Sequence, residues 1–88
     1  MRLNPKVKIR EENGFYLLIN LDEESIIKGN PSFYKINDFA KEIIDELEDY
    51  GGFDEISEVT FYLSGKLKIS LSTVEDFIEK LIEGDILI

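Results

Sequence analysis

The reactive side chains of this sequence are almost all carboxylates. Its 88 residues include 19 aspartates and glutamates but no histidine and no cysteine. The chain therefore lacks an imidazole base, a thiolate, any Ser-His or Cys-His nucleophile pair, and the usual ligands of zinc. No glycine-rich ligand loop or EF-hand spacing accompanies the acidic residues, so they indicate solvated helix faces rather than a metal site or paired catalytic carboxylates. They form two runs: Glu42, Asp45, Glu46, Glu48 and Asp49, then Glu75, Asp76, Glu79 and Glu83.

A nucleotide site is not indicated either. Ser64-Gly65-Lys66 is similar to the end of a phosphate-binding loop, but the glycine that such a loop needs upstream is missing. Catalysis would have to depend on carboxylates alone. We therefore expect a protein that is not an enzyme and that uses no cofactor and no metal.

Length and composition predict one domain spanning residues 1–88. A hydrophobic content of 43% in a chain of this length is enough for one core and not for two. The segment from Met1 to Lys6 lacks the apolar run of a signal peptide, and no apolar stretch approaches the length of a membrane span. Together with the absence of cysteine, this predicts a cytoplasmic protein.

The net charge of −9 is concentrated in the second half of the chain. Residues 1–37 carry six basic and five acidic side chains, whereas residues 38–88 carry four basic and fourteen acidic ones. An acidic surface repels phosphate backbones and anionic lipids. We expect neither nucleic acid nor a membrane as a partner.

The first half of the sequence predicts three strands. Alternating basic and apolar residues predict a strand over residues 6–11, and Asn13-Gly14 favours a type I′ turn into a second strand over residues 15–19. The second strand is apolar on both faces, which indicates a central position in the sheet. Aromatic and β-branched residues predict a third strand over residues 33–36. The intervening residues 21–31 are expected to form a loop with Ile26-Ile27 buried.

The second half predicts three helices. The first spans Asp38 to Tyr50 and stops at Gly51-Gly52. The second is expected to run from its cap, Asp54, to Leu63, with Ser64-Gly65 ending it and residues 66–69 extended. The third is expected to begin with the capping box Ser72-Thr73-Val74-Glu75 and to end at Gly84. The apolar tail at residues 86–88 must be covered by another part of the protein.

This order of elements is winged-helix-like, and the sequence resembles the PqqD family. The resemblance covers nearly the whole chain and lies in the order and spacing of the motifs. These are Tyr34-Lys35-Ile36-Asn37, then Ala40, Ile43, Ile44 and Leu47, then Asp54-Glu55-Ile56, and finally the run from Val74 to Leu87. The fold class that follows is α+β, winged-helix-like, with a three-stranded antiparallel sheet followed by three helices.

The resemblance implies a peptide-binding function, as in pyrroloquinoline quinone biosynthesis. In the family, the leader segment of a ribosomally synthesised precursor adds as a strand beside the third strand and third helix. It is thereby presented to a modifying enzyme, often a radical SAM protein. The peptide-binding residues that the resemblance implies are Phe33, Tyr34 and Lys35 on the strand and Val74, Phe77, Ile78 and Leu81 on the helix, with Lys80 at the rim.

Two departures from the family pattern bear on this site. Ile36 stands where the family usually has leucine, and the segment over residues 21–31 is longer than is typical. The longer segment leaves the register of the third strand open, and a slip of one residue exchanges the two faces. Whether Phe33 or Tyr34 points into the groove is therefore undecided from the sequence.

Other interpretations stay open at this point. The third strand and the apolar stripe of the third helix are also typical of a plain edge strand and a helix that faces the core. A winged-helix DNA-binding protein would share the topology, although the acidic third helix has the wrong charge for it. A scaffolding protein that binds only its enzyme partner is a further alternative. A free strand edge would also allow a homodimer.

Overall fold

The structure is a computed structural model that describes residues 1–88. It contains three strands, β1 (Val7–Glu12), β2 (Phe15–Asn20) and β3 (Phe33–Ile36), and four helices, α1 (Glu23–Ile27), α2 (Asp38–Tyr50), α3 (Ile56–Leu67) and α4 (Leu71–Glu83). The strands form one antiparallel sheet in the order β1-β2-β3. The predicted α+β architecture, a three-stranded antiparallel sheet followed by helices, is confirmed. None of the helices is both long and apolar enough to cross a bilayer.

The hairpin between β1 and β2 forms as its turn residues predict. Asn13 and Gly14 have φ angles of 47° and 86°, the pair of positive values that a type I′ turn requires. The register pairs Val7 with Asn20 and Glu12 with Phe15. With β3 on its other side, β2 is the central strand, as its two apolar faces predict.

The segment between β2 and β3 differs from the expected loop. It contains the short helix α1, capped by the Asp22 side chain, which accepts a hydrogen bond from the Glu24 amide. The prediction that Ile26-Ile27 is buried is wrong, since Ile26 is 39% exposed and Ile27 is 84% exposed. The buried residue is Ser25, because its hydroxyl bonds the side-chain amides of Asn20 and Asn30. A polar anchor thus holds this segment in place of an apolar one.

Helix α2 has the bounds that the sequence predicts. Its N-cap is Asn37, whose side-chain oxygen accepts a hydrogen bond from the Ala40 amide at 2.9 Å. Ala40, Ile43, Ile44 and Leu47 are its buried residues. The helix ends at Tyr50 because Gly51 takes a positive φ of 82°, a conformation that glycine adopts without strain.

Helix α3 begins and ends later than expected. Its N-cap is Glu55, not Asp54, and no side chain bonds the free amides there. The helix runs through Gly65, where a side chain would meet open space, and continues to Leu67. The prediction of an extended stretch over residues 66–69 is therefore wrong for residues 66–68, because Lys66 and Leu67 are helical and Lys68 is left-handed. Lys68 ends the helix: it has a left-handed φ of 57°, and its backbone N–H donates a hydrogen bond to the Ser64 carbonyl.

Helix α4 begins one residue before the predicted capping box. Its N-cap is Ser70, and the Ser70 hydroxyl accepts a hydrogen bond from the Thr73 amide at 3.3 Å. Ser72 is therefore inside the first turn and does not cap the helix. The end is as predicted, since the helix stops at Glu83 and Gly84 follows.

The core lies between the sheet and the three long helices. Leu18 of β2 packs with Ile43, Leu47, Leu63 and Ile78, and all five are nearly inaccessible to solvent. The C-terminal tail completes this core, because Ile86 and Leu87 are 3% and 2% exposed. The predicted covering of the tail is confirmed for Ile86 and Leu87, whereas Ile88 is 47% exposed. Leu3 and Leu87 form an antiparallel bridge, so the N-terminal segment does the covering.

Candidate functional site

Strand β3 has one unpaired edge. It bonds β2 on one side and lies at the end of the sheet on the other. In an antiparallel pair, residues with backbone groups directed to the partner alternate with residues whose groups point away. The backbone N–H of Asn20 donates a hydrogen bond to the Ser32 carbonyl. By alternation, Ser32, Tyr34 and Ile36 therefore direct their backbone groups to β2. Phe33 and Lys35 therefore present their N–H and C=O groups at the open edge.

The register also decides which side chains face the core. Tyr34 and Ile36 pair with Leu18 and Tyr16 and pack against the core. A methyl group at Gly84 would lie 3.2 Å from the Tyr34 hydroxyl, so the Tyr34 ring reaches the end of α4. Phe33 is 62% exposed and, with Lys35, lies on the opposite face of the sheet. Tyr34 is thus the inward-facing residue.

The four predicted binding residues of α4 do not share one environment. Val74 and Ile78 have no exposed surface and Leu81 is 6% exposed, so these three are core residues and offer no surface to a ligand. Their assignment as ligand contacts is corrected accordingly. Phe77 is half-buried, and its ring meets Phe39 edge to face with centroids 5.8 Å apart. Phe77 is the member of the set that lies at the surface between α4 and the start of α2.

A concavity lies elsewhere, along the edge of β1. It has a volume of about 840 Å³ and runs between β1 and α2. Its apolar lining includes Leu3, Val7, Ile9, Ile44 and Leu47, with Tyr16 beneath. Neither β3 nor Phe77 lines any of the three main concavities. The sequence does not predict this groove. The alternating residues of β1 indicate a half-buried strand, but they do not show which edge of that strand lacks a neighbouring strand.

The outer face of the sheet is apolar in its centre and basic at its margins. The register places Phe15, Leu17, Ile19 and Phe33 on the face away from the helices. Lys35 lies on the same face, with its ammonium 4.8 Å from the centre of the Phe15 ring, a cation–π arrangement. No helix covers this face.

The titratable groups with shifted pKa values have visible structural partners. Asn4 donates a hydrogen bond to the Asp22 carboxylate and so lowers the pKa of Asp22. Asp45 raises the pKa of Lys41, and Glu46 followed by Tyr62 raises the pKa of Lys66. Glu58 raises the pKa of the Tyr50 hydroxyl. Lys41 and Asp45 lie one turn apart on α2, whereas the other three pairs join different segments of the chain, and the four pairs do not converge on one pocket. No group of three or more carboxylates is placed to hold a metal ion.

No protein-family model, curated protein or solved structure matches this chain. The open edge of β3, the groove beside β1 and the uncovered sheet face are the surfaces that the fold leaves accessible to a ligand.

Proposed function

We propose that this domain is a cytoplasmic, non-catalytic peptide-recognition module. It binds the leader segment of a ribosomally synthesised precursor by adding it as a fourth strand to β3, and presents it to a modifying enzyme, such as a radical SAM protein. The observation that carries the proposal is the vacant flank of β3, where Phe33 and Lys35 direct their backbone groups away from β2. An unpaired edge is the physical requirement for strand addition.

The strength of such binding follows from the shortness of the edge. Phe33 and Lys35 together offer two donors and two acceptors, which permits up to four main-chain hydrogen bonds. Each such bond contributes about 1 kcal/mol net. Pro31 has no N–H, and the Asn37 carbonyl already accepts from Lys41, so each flanking residue lacks one of the two groups that a further hydrogen-bonded pair needs. Side-chain contacts must therefore supply the rest of the affinity and the selectivity.

The register specifies those side-chain contacts. Peptide residues opposite Phe33 and Lys35 place their side chains on the outer face, where an apolar and an acidic residue respectively fit best. The peptide residue between them points inward, past Tyr34 toward the Phe39–Phe77 pair. An apolar residue suits this position. The preferred sequence is thus apolar, apolar, acidic, or its reverse.

A scaffolding role is a second candidate, favoured by the uncovered sheet face. Phe15, Leu17 and Ile19 form an apolar centre there, and exposed Phe33 extends it to the edge. Apolar patches rimmed by polar residues are typical of protein-binding surfaces. Strand addition at β3 and docking on this face use different atoms and can occur together.

Titration of the protein with leader peptides encoded next to its gene tests the proposal, with amide chemical shifts as the readout. We expect shifts at Phe33 and Lys35. The variant Lys35→Pro removes an outward N–H without touching the β2–β3 ladder, and proline is tolerated at such an edge. The loss of one such bond should weaken binding roughly fivefold. The matched variant Lys35→Ala lacks the same ammonium group but keeps the N–H, so it should bind the leader more tightly than Lys35→Pro does.

Thermal melting establishes that both Lys35 variants are folded before their affinities are compared. Equal binding by Lys35→Pro and Lys35→Ala would contradict strand addition at β3. Binding that persists in both variants but is lost in Leu17→Glu, on the uncovered face, would favour the scaffolding role.

A further inference from the structure

Strand β1 carries the second unpaired edge of the sheet. The Leu21 amide bonds the Lys6 carbonyl, so the even-numbered residues from Lys6 to Glu12 direct their backbone groups to β2. The odd-numbered residues Val7, Ile9 and Glu11 direct theirs outward. The backbone N–H of Val7 already donates a hydrogen bond to the Asn4 carbonyl, at 3.0 Å. Ile9 and Glu11 keep both groups free.

This edge opens directly into the 840 Å³ groove. Helix α2 extends past β1 on the core side, so Lys41, Ile44 and Glu48 form the far wall and residues 2–5 close one end. The volume is in the range of binding pockets rather than of surface irregularities. A strand added to β1 would send alternate side chains into this groove, over Ile9 and Ile44, and the others to the outer face.

The outer face of β1 specifies the charge of such a strand. Lys6, Lys8 and Arg10 follow one another on this face, and all three are exposed. Arg10 is paired with Glu12 at 2.8 Å, while neither Lys6 nor Lys8 has a carboxylate oxygen within 4 Å; Lys6 is close enough to Asp22 to contribute to the lowered pKa of that carboxylate. Opposite charges across neighbouring strands attract, and like charges repel. Acidic side chains are therefore favoured opposite Lys6 and Lys8.

The same basic row disfavours some pairings between two copies of this chain. Antiparallel pairing with Ile9 opposite Ile9 sets Lys8 against Arg10, and pairing with Lys8 opposite Lys8 brings two ammonium groups together. Like charges directly opposite each other are destabilising. Registers that bring Glu12 opposite Lys8 or Arg10 reduce this repulsion, so a strand whose outer-face side chains are all acidic fits the edge better than a second copy does.

We propose that the β1 edge and its groove form a second strand-addition site, which takes an extended peptide with alternating apolar and acidic side chains. The apolar side chains enter the groove between β1 and α2, and the acidic ones pair with Lys6 and Lys8. This site is separate from the β3 edge, because β2 lies between them. Two peptide segments can therefore bind at opposite margins of one sheet.

Two short synthetic peptides of equal length test the site, one alternating valine with glutamate and the other alternating valine with lysine. At about 150 mM NaCl, where charges more than about 8 Å apart are screened, the overall negative charge has little effect. The glutamate peptide should shift the amide signals of Ile9 and Glu11. It should bind roughly tenfold more tightly than the lysine peptide, as expected from two or three cross-strand charge pairs.

Variants separate local charge from total charge. Lys8→Glu should remove most of the preference for the glutamate peptide, whereas Lys68→Glu, an equal change of charge at an exposed position after α3, should leave it intact. Glu11→Pro removes an outward N–H and should weaken binding relative to Glu11→Ala. Equal affinity for the two peptides, or shifts confined to Phe33 and Lys35, would overturn the proposal.

The outcome is independent of the proposed leader binding. Leader-induced shifts at Phe33 and Lys35 without any response at Ile9 and Glu11 would refute the second site and leave the first standing. Shifts of the Ile9 and Glu11 amide signals with the glutamate peptide, without shifts at Phe33 and Lys35 for any neighbouring leader, would support the second site and refute leader binding at β3.

Discussion

Buried polar side chains hold the non-helical parts of this molecule together. The Asn4 amide donates to the Asp22 carboxylate at 2.9 Å and to the Asp85 carbonyl at 3.0 Å. Asn20 accepts from the Asp22 amide and donates to Ser25. Asn4, Asn20 and Ser25 are each at most 3% exposed, and no buried side-chain polar atom lacks a partner. Because the network is fully satisfied, it fixes the α1 segment without the cost of an unpaired group.

The Asp22 carboxylate makes part of this network sensitive to acid. The hydrogen bond from Asn4 lowers the pKa of Asp22 below its model-peptide value of 3.8. A lowered folded-state pKa gives stabilisation that is complete above pH 3.8 and is lost as the pH falls toward the folded-state value. Asp22→Asn keeps a capping oxygen but cannot ionise, so we expect its unfolding free energy to decline less than that of the native protein below about pH 4.

Urea unfolding at several pH values between about 6 and 3 measures this difference. Asp54→Asn, at an exposed position with no side-chain hydrogen bond, controls for the loss of one negative charge at pH 6. An acid transition that is identical in the native protein and in Asp22→Asn would contradict the assigned role.

Two serines compete as the N-cap of α4: Ser70, which caps the helix in the structure, and Ser72, which the sequence motif suggests. Ser70 holds the Thr73 amide, whereas Ser72 bonds no backbone amide. Removing an N-cap hydroxyl costs about 1 kcal/mol. We expect Ser70→Ala to lower the unfolding free energy by about that amount and Ser72→Ala to have a much smaller effect. Urea denaturation of the two variants measures the difference, and the opposite ranking would favour the capping box at Ser72.

Two adjacent positions on α4 separate the core from the candidate binding surface. Ile78 has no exposed surface, and Ile78→Ala should lower the unfolding free energy by about 2–4 kcal/mol because it leaves a cavity. Phe77 is half-buried against Phe39, so Phe77→Ala should be less destabilising and should weaken leader binding at β3. Melting curves and peptide titrations of both variants test this. If folded Ile78→Ala lost leader binding while Phe77→Ala kept it, the assignment of Ile78 to the core and of Phe77 to the binding surface would be contradicted.

Elements with strong local signals were predictable from the sequence. The Asn13-Gly14 turn and the Asn37-capped α2 depend on neighbouring residues only, so the local sequence is enough to predict them. The end of α3 was not predictable, because Leu67 packs against the core and that tertiary contact outweighs the helix-breaking tendency of Gly65. The same limit applies to Ile26-Ile27, because the Ser25 hydroxyl turns inward to the carbonyl of Gly84, which is distant in sequence.

The candidate site was predictable only in part. The residue types of β3 indicate a strand, and they place Phe33 to Lys35 correctly. The vacancy of an edge is a property of the whole sheet, however, so no local pattern distinguishes the β1 edge from a paired one. Likewise, an apolar helical stripe does not reveal that Val74 and Ile78 are fully enclosed while Phe77 is not.

At the scale of the whole molecule, the acidic charge opposes compactness. The net charge is −9, and only four ion pairs link acidic and basic side chains. Repulsion among the remaining carboxylates weakens when salt screens it. We expect the melting temperature to rise by several degrees between about 10 and 200 mM NaCl, since about 1 kcal/mol shifts a domain of this size by that much. A fall in melting temperature with salt would show that the ion pairs contribute more than the repulsion.

The bridge between the two ends of the chain has a topological consequence. Arg2 and Ile88 exchange both of their backbone hydrogen bonds, each at 2.8 Å, so the first and last residues are direct neighbours. A linker of a few residues could therefore join them into a ring, and the ring could be reopened at the exposed Asn13-Gly14 turn. Such a circular permutant should fold with the same sheet, as its circular dichroism spectrum would reveal. The domain is also suited to insertion as a cassette into a surface loop of a host protein.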